Sequence, residues 1–262
     1  MTDNTAPRTP LGRIWTDTAL PALGAVLAVA LWWLLTAAFH VDKFYVPSPP
    51  DVVHSFLKTP DYLIEQTWVT LKRVLIGFVI AVAAGLVIAI VLAASRTVER
   101  MTMPLLAAVN AVPKVALAPL LLVWMGFGDS PKIVMVVLVS FFPVIVATIA
   151  GLSSAPADLR ELSRSLSASW WQTFTKVRLP SALPQVFVGL KVATPLAIIG
   201  AVIGEVVNPD EGLGSVISAS GANSDTPQAF AALVLLAITG VVLYYLMALL
   251  ERIFVPWARK IS

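Results

Sequence analysis

The residues that could do chemistry in this chain are few, and the most informative polar stretch is the basic segment 156–184, which lies between two long apolar segments. The chain has no cysteine, its histidines His40 and His54 lie far from any carboxylate cluster, and it has no HExxH or Ser-His-Asp pattern. It also lacks the phosphate-binding pattern G-x-x-x-x-G-K-[ST]. The sequence therefore predicts no catalytic residues, no metal site and no ATP-binding loop, so any energy source must belong to another polypeptide.

The polar segment 156–184 has the pattern of two short amphipathic helices separated by a break at Ser167-Ala168. The apolar side chains of the first helix recur at i, i+3 and i+7: Leu159, Leu162 and Leu166. Ser169 and Gln172 have the spacing of a capping box, which predicts the start of the second helix. We expect Pro180 and Pro184 to stop that helix. Such a hairpin is typical of a docking site for a soluble partner, or of an amphipathic element lying on lipid headgroups.

The elements around this hairpin are membrane spans. Hydrophobic residues make up 58% of the 262 residues and charged residues 13%, whereas soluble domains carry roughly 25% charged residues. A span needs about 20 apolar residues. We therefore predict an all-α integral membrane protein with one transmembrane domain, residues 17–262, after a disordered cytosolic segment, residues 1–16. The predicted spans are 18–39, 66–94, 103–126, 131–150, 186–207 and 229–253.

Lys and Arg are distributed unequally between the two sets of loops, which predicts the orientation. One set holds eleven basic residues: Arg8, Arg13, Arg96, Arg100, Arg160, Arg164, Lys176, Arg178, Arg252, Arg259 and Lys260. The other set holds three: Lys43, Lys58 and Lys132. We expect both termini and the polar hairpin to be cytosolic. The net charge of +3 then reflects this asymmetry and does not indicate nucleic-acid binding.

Prolines in the third predicted span indicate irregular backbone at membrane depth. Pro104, Pro113 and Pro119 interrupt an otherwise apolar run, and proline in a helix interior removes a hydrogen bond. Irregular backbone within a membrane is tolerated where protein or a water-filled cavity covers it. The pattern predicts a kinked, pore-lining helix, and kinks between packed helices are the alternative.

Charged residues in or near the predicted spans have two explanations. Lys72 and Arg73 predict a partly exposed turn at the start of the second span. Lys191 and Lys114 are expected in the inner halves of their spans, from which a long side chain can reach the interface with its charged end. Glu205 is expected near the outer end of the fifth span, at a mouth or a gate.

Two segments are expected on the extracytosolic side of these spans. In VPSPPDVV, residues 46–53, the prolines force extended backbone and Asp51 is expected to cap a short helix. The acidic, Gly/Ser-rich segment 208–228 predicts either a flexible loop or a surface that faces the translocation mouth or an external partner.

Four stretches together resemble the permease subunits of ABC importers. The pattern E-x-x-R-x-L-S-A-S-x-W-x-x-F-x-x-V-x-L-P-x-A-L-P, residues 161–184, resembles the EAA loop of these permeases. VPSPPDVV looks like the beginning of the permease core. Residues 112–133 and 189–214 are similar to the third and fifth spans of nitrate, sulfonate and taurine permeases. The resemblance covers most of the chain beyond residue 45.

This resemblance implies a type I importer permease with a coupling loop at about 151–184. The chain would be a transport subunit and not an enzyme, in the cell (inner) membrane with both termini cytosolic. It would work as a dimer, expected to be a homodimer, with two cytosolic ATPase subunits that bind ATP and Mg²⁺, and an extracytosolic binding protein would deliver the solute. The coupling residues implied are Glu161, Arg164, Ser167, Ala168, Ser169 and Trp170, and the translocation path is expected at Pro113, Pro119 and Glu205.

The hairpin departs from the family pattern where the family has Ala-Ala and a turn glycine. Leu162, Ser163 and Ser167 stand at these positions. If the turn requires a left-handed residue, a serine there costs about 1–2 kcal/mol relative to glycine.

Several functions remain open from the sequence. The solute is expected to be a small organic or inorganic anion such as a sulfonate, taurine or nitrate, with a pyrimidine or riboflavin-type precursor as the competing cargo. An ATPase-independent secondary transporter would predict mid-span polar clusters or inverted repeats, and neither is evident in the sequence. A membrane-embedded enzyme would need a catalytic set.

Overall fold

The computed structural model describes residues 10–257, and the side chains of these except residues 10–18, 96 and 160. Its elements over that range are helical. The α-helices are α1 (Pro10–Ala38), α2 (Pro49–Lys58), α3 (Pro60–Ala93), α4 (Arg96–Ala111), α5 (Lys114–Met125), α6 (Asp129–Ser153), α7 (Ala157–Ser165), α8 (Trp170–Thr173), α9 (Leu179–Val207), α10 (Leu213–Ala222) and α11 (Thr226–Phe254). A π-helical turn, Phe174–Arg178, joins α8 to α9.

Six of these units account for the predicted spans. In the described range, α1, α3, α6, α11 and the continuous stretch Trp170–Val207 are long and apolar enough to cross a membrane, and the pair α4–α5 makes a sixth candidate. The predicted all-α membrane fold is confirmed. Helix α1 begins at Pro10, inside the segment predicted to be disordered, and residues 1–9 lie outside the described range.

The third span is broken rather than kinked. Helices α4 and α5 meet at 85°, and the break falls at Val112-Pro113. Proline disfavours helical backbone in the residue before it, and Val112 is extended, with φ −63° and ψ 128°. Pro104 and Pro119 lie inside α4 and α5 and do not interrupt them. Only one of the three prolines therefore breaks the span.

Two expectations about charged residues are wrong. Helix α3 runs without a break through Lys72 and Arg73, and the side chain of Arg73 is 4% exposed. Lys132, counted above as a loop residue, lies in the first turn of α6 and is fully buried. Both cations are buried because carboxylates from other elements surround them.

Helix α6 is the centre of the bundle and packs between α3 and α9. Val136 is fully buried there, between Gly77 of α3 and Gly200 of α9. A Cβ atom on Gly77 would approach the Val136 side chain to 2.5 Å, and one on Gly200 would approach the Val136 Cα to 2.7 Å. The absence of side chains at both glycines therefore allows the three helices to approach closely, which fixes the positions of α3 and α9.

The two segments predicted to lie outside the membrane each contain a short, packed helix. As predicted, Asp51 caps α2, because its carboxylate accepts hydrogen bonds from the Ser48 N–H (3.0 Å) and the Ser48 hydroxyl. These hydrogen bonds hold the pKa of Asp51 below its usual value. Within the segment 208–228, helix α10 buries Leu213 and Val216, so the prediction of a flexible loop there is wrong.

Candidate functional site

The polar hairpin (residues 156–178) consists of α7, a tight turn, α8 and the π-helical turn. The break occurs at Ser167-Ala168 as predicted, and Ser167 has a φ of +53°. The Ala168 N–H donates to the Ser163 carbonyl oxygen at 2.9 Å, which closes the end of α7. The turn therefore does require the left-handed conformation, which a serine adopts less readily than a glycine.

The predicted capping box starts α8. The Gln172 N–H donates to Ser169 Oγ at 3.2 Å, and the Ser169 N–H donates to Gln172 Oε1 at 2.9 Å. The two interactions satisfy two otherwise free backbone donors at the helix start. Trp170 is thereby fixed two residues after the turn, and its ring stacks on Phe174 with centroids 5.2 Å apart.

The hairpin exposes apolar side chains. Leu162 and Leu166 of the predicted stripe are exposed, as are Trp170 and Trp171, with Leu166 exposed by 71%. Exposed aromatic and leucine side chains flanked by charges are typical of protein interaction surfaces. The structure brings all six predicted coupling residues together on the hairpin, and all except the half-buried Ala168 are exposed: Glu161, Arg164, Ser167, Ala168, Ser169 and Trp170.

The hairpin continues directly into a transmembrane helix. The expectation that Pro180 and Pro184 stop the second hairpin helix is wrong, because α8, the π-helical turn and α9 are continuous over Trp170–Val207. Pro180 and Pro184 both lie inside this continuous helix and do not end it. The Leu179 N–H donates to the Phe174 carbonyl oxygen, a bond that spans the π-helical turn.

At the other end of α9, a group of buried and half-exposed charges joins four elements. We call this group the charged cluster; its members are Arg73, Lys132, Glu205, Asp129, Asp210 and Glu211. Arg73 is at its centre. Its guanidinium contacts Glu205 at 3.0 Å and Asp129 at 2.6 Å, and it donates to the Glu211 carbonyl oxygen at 2.7 Å. Lys132 pairs with Asp210. The cations of α3 and α6 thus hold the loop that follows α9.

Glu205 anchors helix α10. Its fully buried carboxylate accepts hydrogen bonds from the Thr70 hydroxyl at 3.0 Å and from the Gly214 N–H at 2.9 Å. The Thr70 oxygen in turn accepts the Leu213 N–H at 2.8 Å, and Gln66 accepts the Gly212 N–H. The free N–H donors at the start of α10 are therefore satisfied by side chains of α3 and α9, and the negative charge lies at the positive end of the helix dipole.

Gly212 makes this close approach possible. It has a φ of +101°, and a Cβ atom at this position would overlap the Glu205 carboxylate. Glycine is required both by the backbone conformation and by the lack of space.

Sequence reasoning placed Glu205 correctly at the end of the fifth span but missed its partners. The signal was Arg73, an arginine inside an apolar helix, because an ionisable residue within a span usually has a partner there. In this structure Glu205 is buried among these partners and lines no open passage. Its prediction as a path residue stays a prediction.

The break in the third span opens a cavity of about 360 Å³. Pro113 forms the break and Pro119 lies within α5. Lys114, the first residue of α5, lines the cavity together with Asn110 of α4. The α6 residues across the cavity include Phe142 and lie near the middle of that helix. Lys114 is therefore close to the mid-depth of the bundle, and its expected place near the inner half of the span stays a prediction.

Lys191, the other lysine expected to snorkel, has a partner. Its ammonium contacts the Glu251 carboxylate of α11 at 2.8 Å. This ion pair ties α9 to α11, so Lys191 has a structural role in this conformation.

Comparison with known proteins assigns the chain to one family. The profile of the family described as "Binding-protein-dependent transport system inner membrane component" matches residues 81–260. The riboflavin transport system permease protein RibX of Chloroflexus aurantiacus is 36% identical over 90% of this chain and 91% of its own length. The putative aliphatic sulfonates transport permease protein SsuC of Bacillus subtilis is 30% identical over 87% of this chain and 84% of its own.

A solved structure of the MetNI methionine ABC transporter in an inward-facing conformation has the same fold. Its matching chain aligns with a TM-score of 0.64 at 22% identity, over 78% of this chain and 98% of that chain. This chain belongs to the family of binding-protein-dependent transport system inner membrane components and is the permease subunit of an ABC importer.

Proposed function

We propose that this permease imports a small anion of the sulfonate class, and that the exposed hairpin couples it to ATP hydrolysis on a separate subunit. The observation that carries the coupling is the hairpin itself, a rigid polar element that presents exposed apolar side chains at one end of the bundle. In this proposal the hairpin and both termini are cytosolic, and the charged cluster lies near the extracytosolic face. The binding protein of the system docks at that face.

The docking surface comprises the turn and the aromatic start of α8. Trp170 and Leu166 supply apolar area, and aromatic anchors of this kind carry a large share of the energy at protein interfaces. Glu161 and Arg164 flank the turn and set its orientation through charge. Two ATPase subunits that close on two hairpins would move the helices between inward- and outward-open states, a shift driven by differential binding.

A second copy of the chain completes the transport unit in this proposal. Helix α5 exposes Val123, Trp124 and, just after its end, Phe127, whereas its other face packs on α6 and α9. Helix α1 is also exposed along most of its length. In a monomer these faces contact only lipid, and an interface between two copies would place the broken third spans next to each other. We propose a homodimer on this basis, with its ATP and Mg²⁺ bound by the partner ATPases and no cofactor on the permease.

The relatives and the charge in the cavity support the proposed substrate class. One relative is named for aliphatic sulfonates and another for riboflavin, so both kinds of cargo occur on this fold. The cavity at the broken span contains a lysine, which favours an anion. A riboflavin-type or pyrimidine cargo is the second candidate, supported by the 36% identity with RibX.

The test uses the permease with its ATPase and binding protein in liposomes. We expect ATP-dependent uptake of radiolabelled taurine or butanesulfonate that riboflavin does not inhibit. Glu161→Ala combined with Trp170→Ala is expected to reduce uptake at least about tenfold, because the hairpin then loses its charge and its aromatic anchor. Val79→Ala, an exposed residue of α3 away from both the hairpin and the charged cluster, serves as the matched control.

Two outcomes would overturn the proposal. Full uptake by the hairpin variant would exclude the hairpin as the coupling element. Uptake of riboflavin with none of either sulfonate would replace the proposed cargo by the second candidate.

A further inference from the structure

The cavity at the broken third span contains a cation without a matching anion. Lys114 and Asn110 line it, and the rest of its lining is apolar, including Phe142 and Ile199. Within the part of the chain that the structure describes, no carboxylate lies within ion-pair distance of Lys114, whereas Arg73, Lys132 and Lys191 all have one. Lys114, which is half-buried, therefore differs from these three cations, each of which has a carboxylate partner.

The local hydrogen bonds leave part of the ammonium group unused. Lys114 Nζ donates to the backbone oxygen of Asn110 and to its side-chain Oδ1, the latter at 2.7 Å. An ammonium has three N–H donors, so one remains without a partner among the described residues. Both bonds are to neutral oxygens, which orient the cation at the end of α4 but do not neutralise its charge.

The depth of the cavity makes this charge costly. Insertion scales give about 2.5–3.5 kcal/mol for a lysine at the centre of a span. Phe142 and Pro143 lie near the middle of α6, and Lys114 lines the same cavity. An anion that enters the cavity would offset this cost, and the low dielectric constant of the surroundings would strengthen its attraction to the ammonium.

We propose that Lys114 and Asn110 form a mid-membrane binding site for a small monoanion with an aliphatic body, such as an alkanesulfonate. The anionic group pairs with the Lys114 ammonium, the Asn110 amide contributes a further donor, and the aliphatic body contacts the apolar wall. A volume of about 360 Å³ lies within the range of small-molecule sites, about 300–1,000 Å³. This inference rests on the proposed anion import and names the residues that select the anion.

The test compares two probes of nearly equal shape, methanesulfonate and the uncharged dimethyl sulfone. The thermal unfolding midpoint of the purified permease–ATPase complex is measured against the concentration of each probe, with ionic strength held constant by sodium chloride. A ligand that binds the folded state raises the midpoint in a saturable manner. We expect this rise with methanesulfonate and not with dimethyl sulfone.

Substitutions then locate the effect. Lys114→Gln is expected to weaken the apparent affinity for methanesulfonate at least about tenfold, and Lys114→Arg, which keeps the charge, is expected to retain it within a few-fold. Lys72→Gln removes an exposed lysine of α3 that lies outside the cavity and is expected to respond like the wild type.

Three results would overturn the site. One is an equal response of the wild type to both probes, which needs no variant and therefore holds even if Lys114→Gln fails to fold. The second is an unchanged methanesulfonate response in Lys114→Gln, which would show that Lys114 only caps α4. The third is an equal loss of the response in Lys72→Gln. Because the assay requires no ATP hydrolysis, a complex that binds methanesulfonate but transports nothing would refute the proposed function and leave the site standing.

Discussion

The two ends of helix α9 use polar residues in opposite ways. At one end, the charged cluster buries Arg73 and Glu205 with hydrogen bonds and ion pairs supplied by the chain itself. At the other end, the hairpin keeps its charges in solvent and exposes Trp170 and Leu166. The first arrangement is complete within one chain, and the second leaves apolar area for another protein to cover. Burial of charge thus marks the region that fixes the fold, and exposure of apolar area marks the region that we propose binds the ATPase.

Among the variants that test this difference, Arg73→Met is expected to have the largest effect on stability. The variant leaves the buried Glu205 carboxylate without its cation, and breaking a buried pair in this way costs about 3–5 kcal/mol of unfolding free energy. Thermal or denaturant unfolding of the purified permease measures the loss. The double variant Arg73→Met/Glu205→Gln is expected to recover part of it, because the buried charge is then gone.

Glu211→Gln provides the matched control for Arg73→Met. The Glu211 carboxylate is 63% exposed and lies 3.9 Å from Arg73, so its loss is expected to cost less than about 1 kcal/mol. Equal stability of Arg73→Met and Glu211→Gln would show that the cluster does not hold the fold.

A smaller effect is expected from Gly212→Ala. The new methyl group would overlap the Glu205 carboxylate, and alanine disfavours the φ of +101°, so we expect a loss of about 1–3 kcal/mol. Gly221→Ala is the control, since Gly221 lies in α10 with open space around it and alanine favours a helix. A Gly212→Ala variant as stable as Gly221→Ala would argue against the close packing of Glu205 on this loop.

The smallest change in stability is expected in the hairpin, where the substitution stabilises the protein instead of destabilising it. Ser167→Gly relieves the left-handed conformation at φ +53° and is expected to stabilise the turn by about 1 kcal/mol. Hydrogen exchange of the Ala168 N–H, which bonds to Ser163, should slow several-fold. Ser165→Gly, in the last turn of α7, should instead speed this exchange, because glycine weakens a helix. Faster exchange in Ser167→Gly would show that the turn is not strained.

The hairpin could be predicted from the sequence because its determinants are local. The capping box of Ser169 and Gln172 and the break at Ser167 each involve residues within a few positions, and the structure contains both. The charged cluster could not be predicted, because Arg73 and Glu205 are 132 residues apart in the chain. Their pairing follows from the packing of α3 and α9 on α6, which no local pattern encodes.

The prolines show a second limit of local reasoning. Pro113 breaks the third span, whereas Pro184 and Pro195 lie inside α9 without ending it. A proline removes one hydrogen bond and crowds the preceding turn in every case, but packing on α6 holds α9 together on both sides of these residues. The type of residue predicts a weak point in a helix, and the surrounding helices decide whether the helix breaks there.

The continuity of α8, the π-helical turn and α9 has a mechanical consequence. These 38 residues, Trp170–Val207, form a rod about 57 Å long at 1.5 Å per residue. A force applied at its Trp170 end would tilt the whole helix, because no loop separates this end from the part that spans the membrane. In the proposed mechanism, displacement of the hairpin would therefore also move the cavity wall that carries Ile199, because one continuous stretch of helical backbone joins the two.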